Sequence, residues 1–559
     1  MNWHATPNLD PVVVEIIGRA LTAATEEIEI AILRSAYSHV VKESQDASCA
    51  IFTADGRIVA QPIAIPGHLG SMKFMLEECL KEFPTETLSA GDVLMTNDPY
   101  RGGSHLPDIA LFQPIFVDET IVAFVSSIAH HADVGGMVPG SNPLHATELF
   151  QEGLVIPPVK YSEAGLPNTT AMAFIGANVR MPEIVFGDLR AQNAALAVGD
   201  RRVRGLCEKY GAEAVVGVMD KLIAVTSERV RDEVRAMPDG SYVFEDFMDS
   251  DGVDLDKPVK IRCTLTVDGE KLNLDFTGTD KQLRGPLNAP VSKTWTTVLY
   301  CLMSVLPNDI AFNDGVGDVL DIFIPDATLL NPVRPAPVNA RSVTVNRIAD
   351  VVLGAFAQAL PHRVGGQPCG TPTGISFGGI DPQTGNRFIF YESYCGGMGA
   401  TERFDGADGL STGTSNAMNI PAEAIELDFP IRLLRYELVP NSGGAGKHRG
   451  GLGLLREYEM LAEESTMNIR GDRVTFAPQG AAGGGPAQPA RYVLNPDKPA
   501  EKVLGSKTGG GRIMRGETLR IITPGGGGYG LADERDPRAI EEDLHSGKVS
   551  PSSAAAKGV

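Results

Sequence analysis

Cysteine is sparse in this 559-residue chain: seven residues, at positions 49, 79, 207, 263, 301, 369 and 395, an odd number with no CxxC pair. That excludes a disulfide framework and a thiolate zinc site, and fits reduced thiols in a cytosol. No apolar run approaches a bilayer span, so no membrane partner is expected. Positive charge is in deficit: 49 Lys and Arg stand against 70 Asp and Glu, a net charge of -21. Such a field repels phosphate backbones, which argues against nucleic acid. The start, MNWHATPNLDPVVVEII, shows no basic flank, apolar core and small-residue cleavage site of a secretory signal, and a cytoplasmic location is expected. There is no GxSxG elbow. None of the glycine clusters is followed by the Lys-Ser/Thr and helix of a phosphate-binding loop; in GSKTGGGR, from Gly505, the Lys-Thr pair precedes the glycines. The pattern gives the chain no ATP site of its own.

What remains is an ordinary globular composition, 43% hydrophobic and 21% charged. At roughly 100–200 residues per domain the length allows three or four units. Asp10-Pro11 forms an N-cap and first-turn pair, and the apolar spacing after it predicts a helix over 11–38. CAIFTADGRIVA, residues 49–60, predicts a hairpin around Asp-Gly. A second helix is expected over 71–83 and a buried strand over 92–96. Residues 105–136 carry two strand-like runs around Val117-Asp118-Glu119-Thr120, an antiparallel hairpin. Helical patterning covers 185–235 and β-like patterning 242–276. Buried helices are expected over 296–305 and 345–360, a loop-heavy stretch over 362–420, and strands after Ile431. The 62 glycines concentrate in that last part; tight loops with close backbone approach explain them better than a nucleotide does. The expected fold is a multidomain α+β chain. It comprises an N-terminal unit, 1–240, with a metal-bearing β-hairpin region, a middle α+β unit, 241–430, and a glycine-rich, β-dominated C-terminal unit, 431–559.

Histidine is also scarce, ten in all, yet His105, His130, His131 and His145 fall close together with Asp98, Asp108 and Asp133. A turn centred between Asp118 and Glu119 pairs residues summing to about 237, which sets Asp108 opposite Ala129 or His130. Pro107 lets the chain curl so that His105 faces the same point. Two imidazoles and a carboxylate form a first shell for Zn²⁺, Mn²⁺ or Fe²⁺. Hairpin parity leaves His130 and His131 open, and the plainer reading is mutual satisfaction of buried polar groups. Asp46 in ESQDAS and His68 in PGHLGS are further candidates for a ligand or proton carrier. Glu148 and Glu152 are candidate general bases. Cys395, preceded by aromatic residues, reads as buried and inert.

Five segments, ESQDAS around Asp46, GDVLMTNDPYRGGSHLPD from Gly91, HHADVGG from His130, GGAGKHRGGLG from Gly443 and TPGGGGYG from Thr523, occur in one order. In this the chain resembles the hydantoinase B/oxoprolinase family over nearly its whole length. The resemblance implies a metal site of His105, Asp108 and His130 with Asp46, which favours His130 over His131. It implies a separate hydantoinase A-type subunit of actin-like ATPase fold, which uses ATP and Mg to phosphorylate the amide oxygen, in an A2B2 or larger assembly. The implied reaction is hydrolysis of a small cyclic amide, a hydantoin, oxoproline or lactam, by water activated on a divalent metal (Zn, Mn or Fe), with Asp46 or Glu148 handling the proton. Alternatives are a ketone carboxylase subunit, disfavoured modestly by the chain's length, a non-catalytic scaffold subunit, and, from the ligand set alone, an iron oxygenase.

Overall fold

The computed structural model describes residues 9–411 and 413–552. In chain order the first part contains α1 (Pro11–Ser35), α2 (His39–Lys42), β1 (Ala47–Thr53), β2 (Ile58–Ala60), α3 (Pro66–Glu82), β3 (Val93–Thr96), β4 (Asp108–Val117), β5 (Thr120–His130), β6 (Val159–Glu163), β7 (Leu166–Pro167), α4 (Thr169–Asn178), α5 (Pro182–Tyr210) and α6 (Ala212–Arg235). The Asp10 carboxylate accepts the Val12 N–H at 2.9 Å and Pro11 occupies the first turn, which satisfies a helix terminus at a position where proline costs nothing. The helix ends at Ser35, short of 38, and a separate turn, α2, follows. The helical stretch read as one run from 185 divides at Gly211, whose φ is +86°.

The seven strands form one antiparallel sheet in the order β2-β1-β5-β4-β3-β6-β7. Both faces are covered. The Ile17, Leu21, Ile28 and Ile32 side of α1 packs with α5 and α6 on one face. Met72, Met75 and Leu76 of α3 pack on Phe52, Phe112 and Phe124 on the other. Central strands buried on two sides lose the alternation of a half-exposed strand, and β1 is buried along its full length.

The middle part contains β8 (Gly240–Met248), β9 (Val259–Asp268), β10 (Lys271–Asp275), α7 (Val291–Val305), β11 (Leu320–Phe323) and α8 (Arg341–Ala359). Its sheet runs β11-β10-β9-β8, with β11 parallel to β10. The alternately buried residues of β9, Val259, Ile261, Cys263, Leu265 and Val267, share a core with α7 and α8. Both helices begin earlier than apolar periodicity indicates, and their polar first turns carry Lys293 and Arg341.

The last part contains β12 (Thr373–Ile380), β13 (Arg387–Tyr394), α9 (Ala422–Asp428), β14 (Ile431–Leu438), β15 (Leu454–Met460), β16 (Glu464–Arg470), β17 (Arg491–Leu494), β18 (Lys502–Leu504), β19 (Lys507–Met514), β20 (Thr518–Ile522) and α10 (Pro537–His545). Two sheets, β13-β12-β16-β19 and β14-β15-β20-β17-β18, share one core around Phe377, Phe390, Tyr458 and Tyr492. The segment 362–420 is therefore not loop throughout: it supplies β12 and β13, and β12 pairs with β16 from beyond Ile431.

The glycine clusters assemble main chain on main chain. The Gly366 N–H donates to the Ala400 carbonyl, Ala400 to Gly527, Gly527 to Gln367, Gly526 to Gly451 and Gly451 to Met398, all at 2.8–2.9 Å. A Cβ on Gly397, Gly450 or Gly526 would run into neighbouring main-chain atoms. Close approach, not phosphate binding, accounts for glycine at these positions.

Candidate metal centre

Two strands and the loop before them bring the histidines to one point. In His105-Leu106-Pro107-Asp108 the Asp108 N–H donates to the His105 carbonyl at 3.1 Å, so both side chains turn the same way at the start of β4. The connection from β4 to β5 has two residues, Asp118 and Glu119, with Asp118 at φ +53°. Such a loop by itself sets Asp108 opposite Ala129. One irregularity changes this: Phe116 pairs with Ile121 but Ile115 pairs with Ala123, leaving Val122 unmatched, and beyond it Asp108 pairs with His130. A one-residue bulge exchanges the faces of every later residue. His131 therefore points away, its Nε2 3.0 Å from Gln192 Oε1.

His105 Nε2, Asp108 Oδ1 and His130 Nδ1 form a triangle with sides of 2.9, 3.2 and 3.2 Å. All three residues are buried. His105 Nδ1 lies 3.0 Å from Asn339 Oδ1, and Asn339 Nδ2 donates to Asn142 Oδ1 at 2.9 Å. The Asn339 oxygen thus accepts the Nδ1 proton and fixes the His105 tautomer. Burial, reinforced by Arg341, pushes the His105 pKa well down and keeps it neutral. Its Nε2 lone pair then faces a carboxylate oxygen, a contact that a cation between them resolves. The separations are those of donors sharing one ion at ~2.0–2.2 Å, and two imidazoles with one carboxylate suit Zn²⁺, Mn²⁺ or Fe²⁺.

The second Asp108 oxygen accepts from Arg341 at 3.2 Å. Asp46 sits at the rim: Oδ1 is 3.5 Å from His68 Nε2 and Oδ2 is 3.9 Å from His130 Nδ1. The His130 N–H donates to the Asp46 carbonyl at 3.0 Å. His68, in the first turn of α3, is also 3.6 Å from Asp108. These groups line an open cavity that extends to Lys293, Arg341, Tyr391 and Arg470. Lys293 donates to the Gly67 carbonyl and to Ser71; burial and then the Arg341 charge lower its pKa to about 7.

Several expected residues lie elsewhere. Glu148 does not line the cavity: it is exposed, its neighbour Leu149 turning inward in its place. Glu152 is buried, and its carboxylate accepts from the Val338 and Asn339 N–H groups, which makes it a support for Asn339. His145 is exposed and meets the Gly509 carbonyl. Asp133 ties a loop to Arg180, and Asp98 caps Tyr100. Cys395 is buried, its thiol pushed up to about 12 by burial. Arg341, Lys293, Asn339, Tyr391 and Arg470 are not among the residues that the sequence picks out. No local motif marks them, because each comes from a distant segment.

The hydantoinase B/oxoprolinase profile matches residues 10–532. An uncharacterised protein of Methanocaldococcus jannaschii is 37% identical, the match covering 98% of this chain and 95% of that one. A protein of Pseudomonas sp., provisionally named as the B-type component of a D-/L-hydantoinase, is 32% identical, with 98% and 94% covered. Among solved structures, the ATP-dependent caprolactamase from Pseudomonas jessenii superposes with a TM-score of 0.92 at 28% identity, covering 98% of this chain and 96% of that one. Acetone carboxylase shares the fold, with a TM-score of 0.86, 20% identity and 98% and 79% covered. The match of profile, relatives and fold along nearly the whole chain shows that it belongs to the hydantoinase B/oxoprolinase family.

Proposed function

We propose that this chain is the B-type subunit of an ATP-dependent cyclic amide hydrolase, acting on a hydantoin, oxoproline or lactam ring together with a hydantoinase A-type ATPase subunit that carries ATP and Mg, in a cytoplasmic A2B2 or larger assembly. The observation that carries the reading is the buried convergence of His105 Nε2, Asp108 Oδ1 and His130 Nδ1 at an open cavity, in a chain whose fold matches an ATP-dependent caprolactamase.

His105, Asp108 and His130 would hold a divalent ion. When bound, such an ion lowers the pKa of water and polarises a carbonyl. Asn339 keeps the His105 lone pair directed into the triangle, and Arg341 occupies the outer Asp108 oxygen so that the inner one stays turned inward. Asp46, at the rim and next to His68, accepts the proton of the attacking water and returns it to the leaving nitrogen. Ring opening of the amide phosphorylated by the partner adds water to the carbon, breaks the C–N bond with a proton passing to nitrogen, and with a second water releases the phosphoryl group as inorganic phosphate, so that one ATP is hydrolysed to ADP and phosphate for each ring opened.

The test is purification with and without the ATPase partner, elemental analysis, and the same for His105→Ala and Asp108→Ala. About one Zn, Mn or Fe per chain, lost in both variants together with ATP-dependent ring opening, is expected. Full activity in metal-free protein overturns the reading and leaves a scaffold role.

A further inference from the structure

Among the described residues six arginines are buried: Arg341, Arg347, Arg449, Arg456, Arg470 and Arg473. Five have carboxylate partners. Arg341 meets Asp108, Arg347 meets Asp246 and Asp472, Arg449 meets Asp408 and Asp543, Arg456 meets Glu392, and Arg473 meets Asp350. Arg470 is the exception. It is 3% exposed, donates to the Tyr391 hydroxyl at 2.8 Å, and among the described residues forms no ion pair. A buried guanidinium that cannot lose its proton and lacks a counter-charge is costly unless something else supplies the charge.

Its position says what that is. Arg470 lines the same cavity as the His105, Asp108 and His130 triangle. The Tyr391 ring it contacts stacks on His130, with centroids 5.3 Å apart and planes at 13°. Lys293 and Arg341 face the cavity as well, against only two carboxylates, Asp46 and Asp108. Asp108 is already engaged by Arg341. Arg470 therefore turns a planar donor fork without a carboxylate partner toward the cavity, a geometry suited to paired oxygens.

We infer that Arg470 is the centre of an oxyanion-binding subsite in the cavity, which takes a carboxylate or phosphate group of the substrate and seats it one aromatic ring away from the metal-ligand triangle. The inference rests on the proposed function only for assigning that oxyanion to the substrate; the lack of a carboxylate partner at Arg470 stands without it.

The experiment is calorimetric titration of the full-length, metal-free chain with inorganic phosphate and, separately, with acetate, at constant ionic strength. Wild type, Arg470→Gln, Arg470→Lys and Arg512→Gln are compared; Arg512 is an exposed arginine on neighbouring β19, paired with Glu464. Wild type is expected to bind one equivalent, Arg470→Gln at least about tenfold more weakly, Arg470→Lys in between, and Arg512→Gln like wild type. Tighter phosphate than acetate identifies a phosphoryl group, the reverse a carboxylate. Should Arg470→Gln not fold, Arg470→Lys alone decides, because loss of the fork must weaken binding. No binding of either anion to wild type, or unchanged affinity in a folded Arg470 variant, overturns the inference. Because the titrations are done without metal, failure here leaves the metal reading intact, and loss of the metal reading leaves this result standing.

Discussion

Asp108 and His130 face each other across β4 and β5 because Val122, eight residues before His130, has no partner on β4. The side chain next along the strand, His131, is buried against Gln192 instead. His130→Ala is therefore expected to lose bound metal and His131→Ala to keep it. Elemental analysis of the two proteins checks this, and metal lost equally in both would contradict the register argument.

Asn339 touches no atom of the triangle other than through His105 Nδ1. Replacing it by Leu leaves the His105 tautomer free, and about 10–100-fold weaker metal affinity is expected. Competition with a chromophoric chelator reads this directly. Asn339→Asp, which keeps an acceptor, should recover part of the loss.

Removing Asp108 has a second cost, because Arg341 is left buried without its carboxylate. Stranding such a charge typically costs about 3–5 kcal/mol. Asp108→Asn should lower the denaturation midpoint well beyond the effect of His105→Ala, and equal midpoints would show that Arg341 does not depend on Asp108.

Burial lifts the Glu152 carboxyl to about 8, against hydrogen bonds from Asn339 and Val338 that pull it down. Its folded pKa is above the unfolded value of 4.5, so between these limits the native state holds the extra proton. Stability from this group is complete below the unfolded value and declines as pH rises toward the folded one. Glu152→Gln should flatten the fall of thermal stability over about pH 5–8. An unchanged slope would remove Glu152 from that dependence.

Gly450 and Gly505 make a contrast within one part of the chain. A Cβ on Gly450 collides with the Gly526 carbonyl, whereas one on Gly505 meets nothing within 4 Å. Gly450→Ala is expected to destabilise by more than about 3 kcal/mol and Gly505→Ala to stay within about 0.5 kcal/mol, measured by chemical denaturation.

The N-terminal cap at Asp10, both β-hairpins and the β-rich end were legible because short-range rules, capping, alternation and turn residues, determine them. His105, Asp108 and a histidine at the far end of β5 were legible for the same reason, lying on one hairpin and the loop before it, but hairpin parity left His130 and His131 open and only the family resemblance favoured His130. Val122 was not, since a bulge answers to the twist of the whole sheet and leaves no mark in composition. Arg341 and Lys293 were hidden twice over. They come from segments some two hundred residues away, and they sit in polar first turns that precede the apolar periodicity of α8 and α7. Glu148, singled out for its nearness in sequence to the histidines, lies at the surface outside the cavity lining.

The main-chain bundle in the last part joins stretches of chain that are far apart, Gly366 and Ala400 with Gly451 and Gly527. Each of its bonds closes a loop of tens of residues or more, and its glycines carry no side chain that could hold the segments near one another beforehand. Loop entropy must be met before the bonds form, and non-local contacts of this kind slow folding. The bundle is thus a late-closing seam in the folding of the chain, while α1 and the β4–β5 hairpin, built from local contacts, form without waiting for it.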